Sequence, residues 1–201
     1  MNELNSDLIV KRSLRGVFAL ISRTFFLNII SLFAFLVITS VLNASQVGIY
    51  TAVIAIQRVI SFFTDFGLGA ALIQKKQELK QADLATTFTI QAGITLAIFL
   101  AVYASIGPIS IFFKLDNQAQ NLLLVLVFTI FLSSFKTIPS ILLERSINFG
   151  KLVFPQIVES LAFNGILVVL ILGGYGLNSF TWAFLMSSLI GIPFYYLVSP
   201  W

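Results

Sequence analysis

Residues 61–80 read SFFTDFGLGAALIQKKQELK. Phe62, Phe63, Phe66, Leu68, Ala70, Ala71, Leu72 and Ile73 are apolar, and a lysine-rich stretch follows at once. A single carboxylate, Asp65, stands inside the apolar run. Such a run ends either a helix of a soluble core or a span of a membrane protein, and composition separates the two. The 201 residues are 58% hydrophobic and 10% charged, whereas soluble domains carry about 25% charged residues. Mean hydropathy is +1.00. So few charges cannot cover a water-facing surface, and the chain reads as an integral membrane protein.

Composition also excludes chemistry. There is no cysteine and no histidine. Disulfides, thiol catalysis and iron–sulfur clusters are therefore ruled out, and the commonest metal ligand and proton shuttle is missing. The sequence shows no phosphate-binding glycine loop, no paired-carboxylate hydrolytic site and no metal-ligand spacing. No enzyme, catalytic residue, metal or cofactor is expected. The net charge of +4 does not point to nucleic acid, because the placement of the basic residues accounts for it.

A spanning helix needs about 20 mostly apolar residues. Six stretches qualify, near 16–42, 47–73, 84–106, 119–138, 152–172 and 180–198. They are apolar on every face, as lipid-embedded helices are, and no alternation suggests a barrel. The expected fold is all-α, a polytopic bundle of about six spans forming one unit over 1–201. The breaks carry turn chemistry. Asn43–Ser45 offers a helix end and an N-cap, and Gly107-Pro108 reads as a stop. Ile141, Leu142, Leu143, Ile147 and Phe149 alternate with charge, like a short helix lying in the interface.

Basic residues orient the bundle. Lys11, Arg12, Arg15, Lys75, Lys76, Lys80, Lys136, Arg145 and Lys151 fall on one side, and Lys114 alone on the other. That bias places both termini in the cytoplasm and the chain in the inner membrane. The first apolar run is too long for a cleavable signal peptide.

Four charges remain inside the spans: Arg23, Arg58, Asp65 and Glu159. A charge at a helix centre costs roughly 3 kcal/mol on insertion scales, so each should face protein, ligand or a wet cavity. Arg58 and Asp65 share a helix face but lie roughly 10 Å apart along the axis at ~1.5 Å per residue. Depth therefore suggests two other pairs, Arg23 with Asp65 and Glu159 with Arg58. Gly67 and Gly69 follow Asp65 at a spacing that lets another backbone approach. Asn28 and Gln57 add polar groups at membrane level.

The stretch 42–76, LNASQVGIYTAVIAIQRVISFFTDFGLGAALIQKK, resembles the polysaccharide-biosynthesis flippases of the multidrug/oligosaccharidyl-lipid/polysaccharide exporter superfamily. Gly48-Ile49-Tyr50 follows the first loop, and Asp65-Phe66-Gly67-Leu68 ends the second span. Residues 142–191 are similar to the same family's fourth loop and fifth and sixth helices. The resemblance implies two six-helix lobes rocking about a cationic cavity, with this chain as the N-terminal lobe. It implies movement of undecaprenyl-pyrophosphate-linked oligosaccharide to the outer leaflet, for O-antigen (lipopolysaccharide) or exopolysaccharide synthesis. Arg23, Arg58, Asn28 and Gln57 would then line the substrate cavity. Asp65 and Glu159 would couple protons or sodium, or pair helices. The implied partners are the lipid-linked glycan, membrane lipid and a C-terminal lobe or second copy. A multidrug or other small-molecule exporter of the same superfamily and a non-transporting membrane scaffold for glycan assembly are the alternative readings.

Overall fold

The computed structural model describes residues 3–62, 64, 67–75 and 77–201. Among them lie eight helices and no strand: α1 (Glu3–Val41), α2 (Ala44–Phe62), α3 (Leu68–Gln74), α4 (Gln81–Ala104), α5 (Ile106–Phe113), α6 (Asn117–Arg145), α7 (Phe149–Leu172) and α8 (Asn178–Val198). Five stretches are long and apolar enough to cross a membrane: Ile21–Val41 of α1, and α4, α6, α7 and α8. The 19 residues of α2 are diluted by Gln46, Gln57 and Arg58 and fall outside that set. The protein is a polytopic helical bundle. Its outside is apolar, with Phe62, Ile111 and Phe112 each about four-fifths exposed, as lipid-facing side chains are.

Three elements differ from the sequence expectation. The expected second span divides into α2 and α3. Gly67, directly before α3, has φ +67, a left-handed conformation that interrupts a right-handed helix and that glycine adopts without strain. The expected stop at Gly107-Pro108 is instead the first turn of α5, where a proline lacks no needed N–H; the break lies one turn earlier, at Ser105. The expected interfacial helix near 141–149 is instead the last five residues of α6, which runs through Pro139 to Arg145, and the turn that follows. Ile138, Pro139, Ile141 and Leu143 are all buried. Their packing holds the helix through the proline, whose ring removes one backbone hydrogen bond.

Local chemistry sets the ends. Asn43 and Gln46 exchange hydrogen bonds at the start of α2, Gln46 N–H to Asn43 Oδ1 at 2.9 Å and Asn43 N–H to Gln46 Oε1 at 3.2 Å, as a capping box does. Asp116 Oδ1 accepts from Ala119 N–H at 2.8 Å and caps α6. Asp83 accepts from both the Lys80 N–H, at 3.0 Å, and the Lys75 ammonium, at 2.7 Å.

Helix α6 is central. It packs against α2, α3, α4, α7 and α8, while α1 lies on α7 and α7 on α8. The main apolar core sits at the end of the bundle that holds the α1–α2, α5–α6 and α7–α8 connections. Val53, Leu122, Leu123, Val127, Ile171 and Phe180 are buried there, and Tyr50 stacks on Phe180 at 4.0 Å. At the other end the apolar packing divides. Leu72, Leu84, Ile138 and Ile141 form one small cluster, and Leu143, Leu152 and Tyr195 another.

Arg145 ties α3 to α6. Its Nη1 donates to the Leu72 carbonyl at 2.7 Å and its Nη2 to the Gln77 carbonyl at 2.6 Å. The first acceptor is a last-turn carbonyl of α3, which otherwise lacks a helical partner. Arg145→Ala is expected to cost about 1.5 kcal/mol or more, as loss of hydrogen bonds to a charged donor does. It should also speed proteolysis between Lys75 and Lys80. An unchanged cleavage rate would show that these bonds hold nothing in place.

Candidate functional site

The polar residues that meet inside the bundle come from α1, α6, α7 and α8. Lys136 lies in α6 and Glu159 in α7, and the ammonium donates to Glu159 Oε1 at 2.6 Å. Their side chains are 13% and 24% exposed, so the pair is largely withdrawn from the surface yet still reachable. The Lys136 ammonium also stands 5.9 Å from the centroid of the Tyr195 ring, within cation–π range.

Helix α8 is shaped around Glu159. A Cβ built on Gly191 would lie 3.0 Å from Glu159 Cδ, 3.1 Å from Oε2 and 3.2 Å from Cγ. Only a residue without a side chain lets the carboxylate lie against the α8 backbone. One turn further along, Tyr195 lies near the Gln156 amide of α7 and within electrostatic reach of Glu159, Arg23 and Glu144. Arg23 thus joins the cluster from α1. Its Nε is buried without a hydrogen-bond partner, and so is Gln156 Oε1. A donor and an acceptor left open beside a lysine–glutamate pair make this the most polar place described within the helices. The arrangement can hold an anion on Arg23 and Lys136 if Glu159 yields its ammonium partner.

This geometry corrects one expected pair. Glu159 is matched with Lys136, not with Arg58. Arg58 is exposed on α2, in the field of Tyr50 two turns away. The reason is packing: α2 lies on α6 and α7 lies on α8 and α1, so α2 and α7 do not face each other. Asp65 lies outside the described residues, and the expected Arg23–Asp65 pair with it. Asn28 is exposed on α1. Gln57 is half-buried and donates to Ser61 Oγ at 2.7 Å within its own helix. Arg23, Asn28, Gln57 and Arg58 are therefore not gathered into one pocket among the described residues. No group of three or more acidic residues able to hold a metal occurs among them either.

Sequence reasoning missed Lys136, Gln156, Gly191 and Tyr195 as parts of one cluster. Lys136 is counted with the basic residues of the fourth loop although it lies within the expected fourth span, 119–138. One signal is available: Lys136 lies inside the stretch 119–138, two residues before Ile138 and four before Ser140.

Residues 37–201 match a family described as polysaccharide biosynthesis protein. No curated protein and no solved structure matches the chain. The matched region holds Arg58, Lys136, Gln156, Glu159, Gly191 and Tyr195, while Arg23 and Asn28 precede it. With well over half its length inside that match, and an all-helical bundle to go with it, the chain belongs to the polysaccharide biosynthesis protein family.

Proposed function

We propose that the protein is a flippase or exporter component that moves an undecaprenyl-pyrophosphate-linked oligosaccharide across the cytoplasmic membrane, for O-antigen or exopolysaccharide synthesis. Transport proceeds by alternating access between this lobe and a second one, supplied by a C-terminal lobe or another copy. It needs no catalytic residue and no cofactor, and an ion gradient of protons or sodium drives it. The observation that carries the reading is the presence of three cationic side chains, Arg23, Lys136 and Arg58, within the helices of a chain of this family. Lys136 pairs with Glu159, Arg23 stands in electrostatic reach of the neighbouring Tyr195, and Arg58 is exposed on α2. A pyrophosphate needs such partners, and an arginine exposed in lipid is unfavourable unless something anionic or wet meets it.

Deletion of the gene in its host should deplete surface polysaccharide and leave lipid-linked intermediates in the inner leaflet. Complementation with wild type should restore export. Arg58→Ala should reach the membrane in normal amount yet restore export poorly, and Arg58→Lys only partly, since a point charge does not reproduce the guanidinium fork. Normal polysaccharide after deletion would defeat the proposal. Drug sensitivity in its place would favour the multidrug reading, and loss of assembly without accumulated intermediates the scaffold reading.

Orientation is tested separately. Reporter fusions at Lys114 and Gly174 should read outside, and fusions at Lys76 and Arg145 inside, following the basic-residue bias. One reversed loop would overturn the topology with both termini cytoplasmic.

A further inference from the structure

A cavity of about 620 Å³ lies well away from the charged cluster, at the end of the bundle that holds the main core. Its floor is α6, and its walls are α4 and α8. Its lining changes character along the helices. Tyr103, Asn121 and Asn178 sit within five residues of their helix ends. Below them come Leu124 and Trp182, and then Phe128 and Leu185, the last two about 10 Å deeper than Asn121 and Asn178 at ~1.5 Å per residue. No charged side chain lines it. Thr181 belongs to the same wall, and its hydroxyl is buried without a hydrogen-bond partner.

We infer that this groove binds a glycolipid, through an uncharged, hydroxyl-bearing head joined to a hydrocarbon chain. Two amides can each donate to and accept from hydroxyl groups, and Tyr103 and Trp182 present broad apolar faces with a polar edge. These groups lie where the helices end, at the level of a membrane interface, while the leucine and phenylalanine floor lies where a chain would run. The missing charge argues against a phosphate or choline head, which would leave its own charge without a partner. The volume falls in the range of small-molecule sites, roughly 300–1,000 Å³. The inference goes beyond the proposed function and does not rest on it: the head that fits this groove carries no phosphate, so the occupant is a glycolipid distinct from the pyrophosphate-linked cargo.

The test uses the full chain in nanodiscs with Trp201→Phe, which leaves Trp182 as the sole tryptophan. Its emission is titrated with dodecyl maltoside below the micelle concentration, with dodecylphosphocholine, which has the same chain, and with free maltose. The maltoside should saturate the change at a roughly tenfold lower concentration than the phosphocholine, the worth of one to two hydrogen bonds, and maltose alone should do little. Asn121→Leu with Asn178→Leu should erase the preference, and Thr181→Val serves as a gentler second variant if the pair does not fold. Equal responses to the two amphiphiles would mean ordinary annular lipid and overturn the inference, as would a preference that survives loss of the amides. Binding without any polysaccharide defect on gene deletion would retain the groove and reject the flippase; the reverse result would reject the groove alone.

Discussion

Replacing Lys136 with methionine is expected to remove most of the folded protein from the membrane. The substitution keeps the length of the side chain and deletes its charge, leaving the Glu159 carboxylate largely buried with its 2.6 Å partner gone. Breaking a buried pair from one side costs about 3 kcal/mol or more, because the remaining charge is left uncompensated. The partial exposure of both side chains puts this case near the low end of that range. Lys136→Met with Glu159→Gln removes both charges and should recover most of the loss. Thermal unfolding of the detergent-solubilised single and double variants measures the coupling as a double-mutant cycle. Losses that simply add would show the ion pair to be energetically idle.

The second large effect is at Gly191. Alanine there brings a Cβ to 3.0 Å from Glu159 Cδ, closer than a methyl group tolerates. The carboxylate is the movable party, so it must swing off α8 and stretch its bond to Lys136. Overpacking of this kind costs about 1–3 kcal/mol. In a Glu159→Ala background the same Gly191→Ala change should be almost silent, since the obstructing atoms are gone. The melting temperature of the four proteins decides the matter: an equal drop in both backgrounds would place the strain somewhere other than against Glu159.

Most of the helical architecture was legible because lipid imposes a simple rule on sequence. Long apolar runs mark α4, α7 and α8 to within a few residues and the C-terminal end of α1, and the Asn43–Ser45 turn holds a cap that does form. The rule weakens where protein, not lipid, surrounds the chain. α6 passes through Pro139 because Ile138, Ile141 and Leu143 pack on other helices, which no local signal reports. The site was legible as a set of residue types and not as a set of pairs. Depth along a helix can be counted from the sequence, and it put Glu159 and Arg58 at compatible levels. Which face meets which helix cannot be counted that way. α7 turns Glu159 toward α6 and α8, and Lys136, counted with the fourth loop although it lies within the fourth span, is the cation that meets it there.

The uneven distribution of packing has a mechanical consequence. A bundle with one continuous core at one end and two separate clusters at the other is a cantilever, clamped at the α1–α2, α5–α6 and α7–α8 connections and free at the opposite tips. Bending the tips of α1 and α7 away from α6 disturbs Leu143, Leu152 and Tyr195 but leaves Val53, Leu122, Val127 and Phe180 in contact. The Lys136–Glu159 bond is the catch on that free end. Spreading that end breaks this electrostatic contact together with the small Leu143–Leu152–Tyr195 cluster and leaves the main core whole.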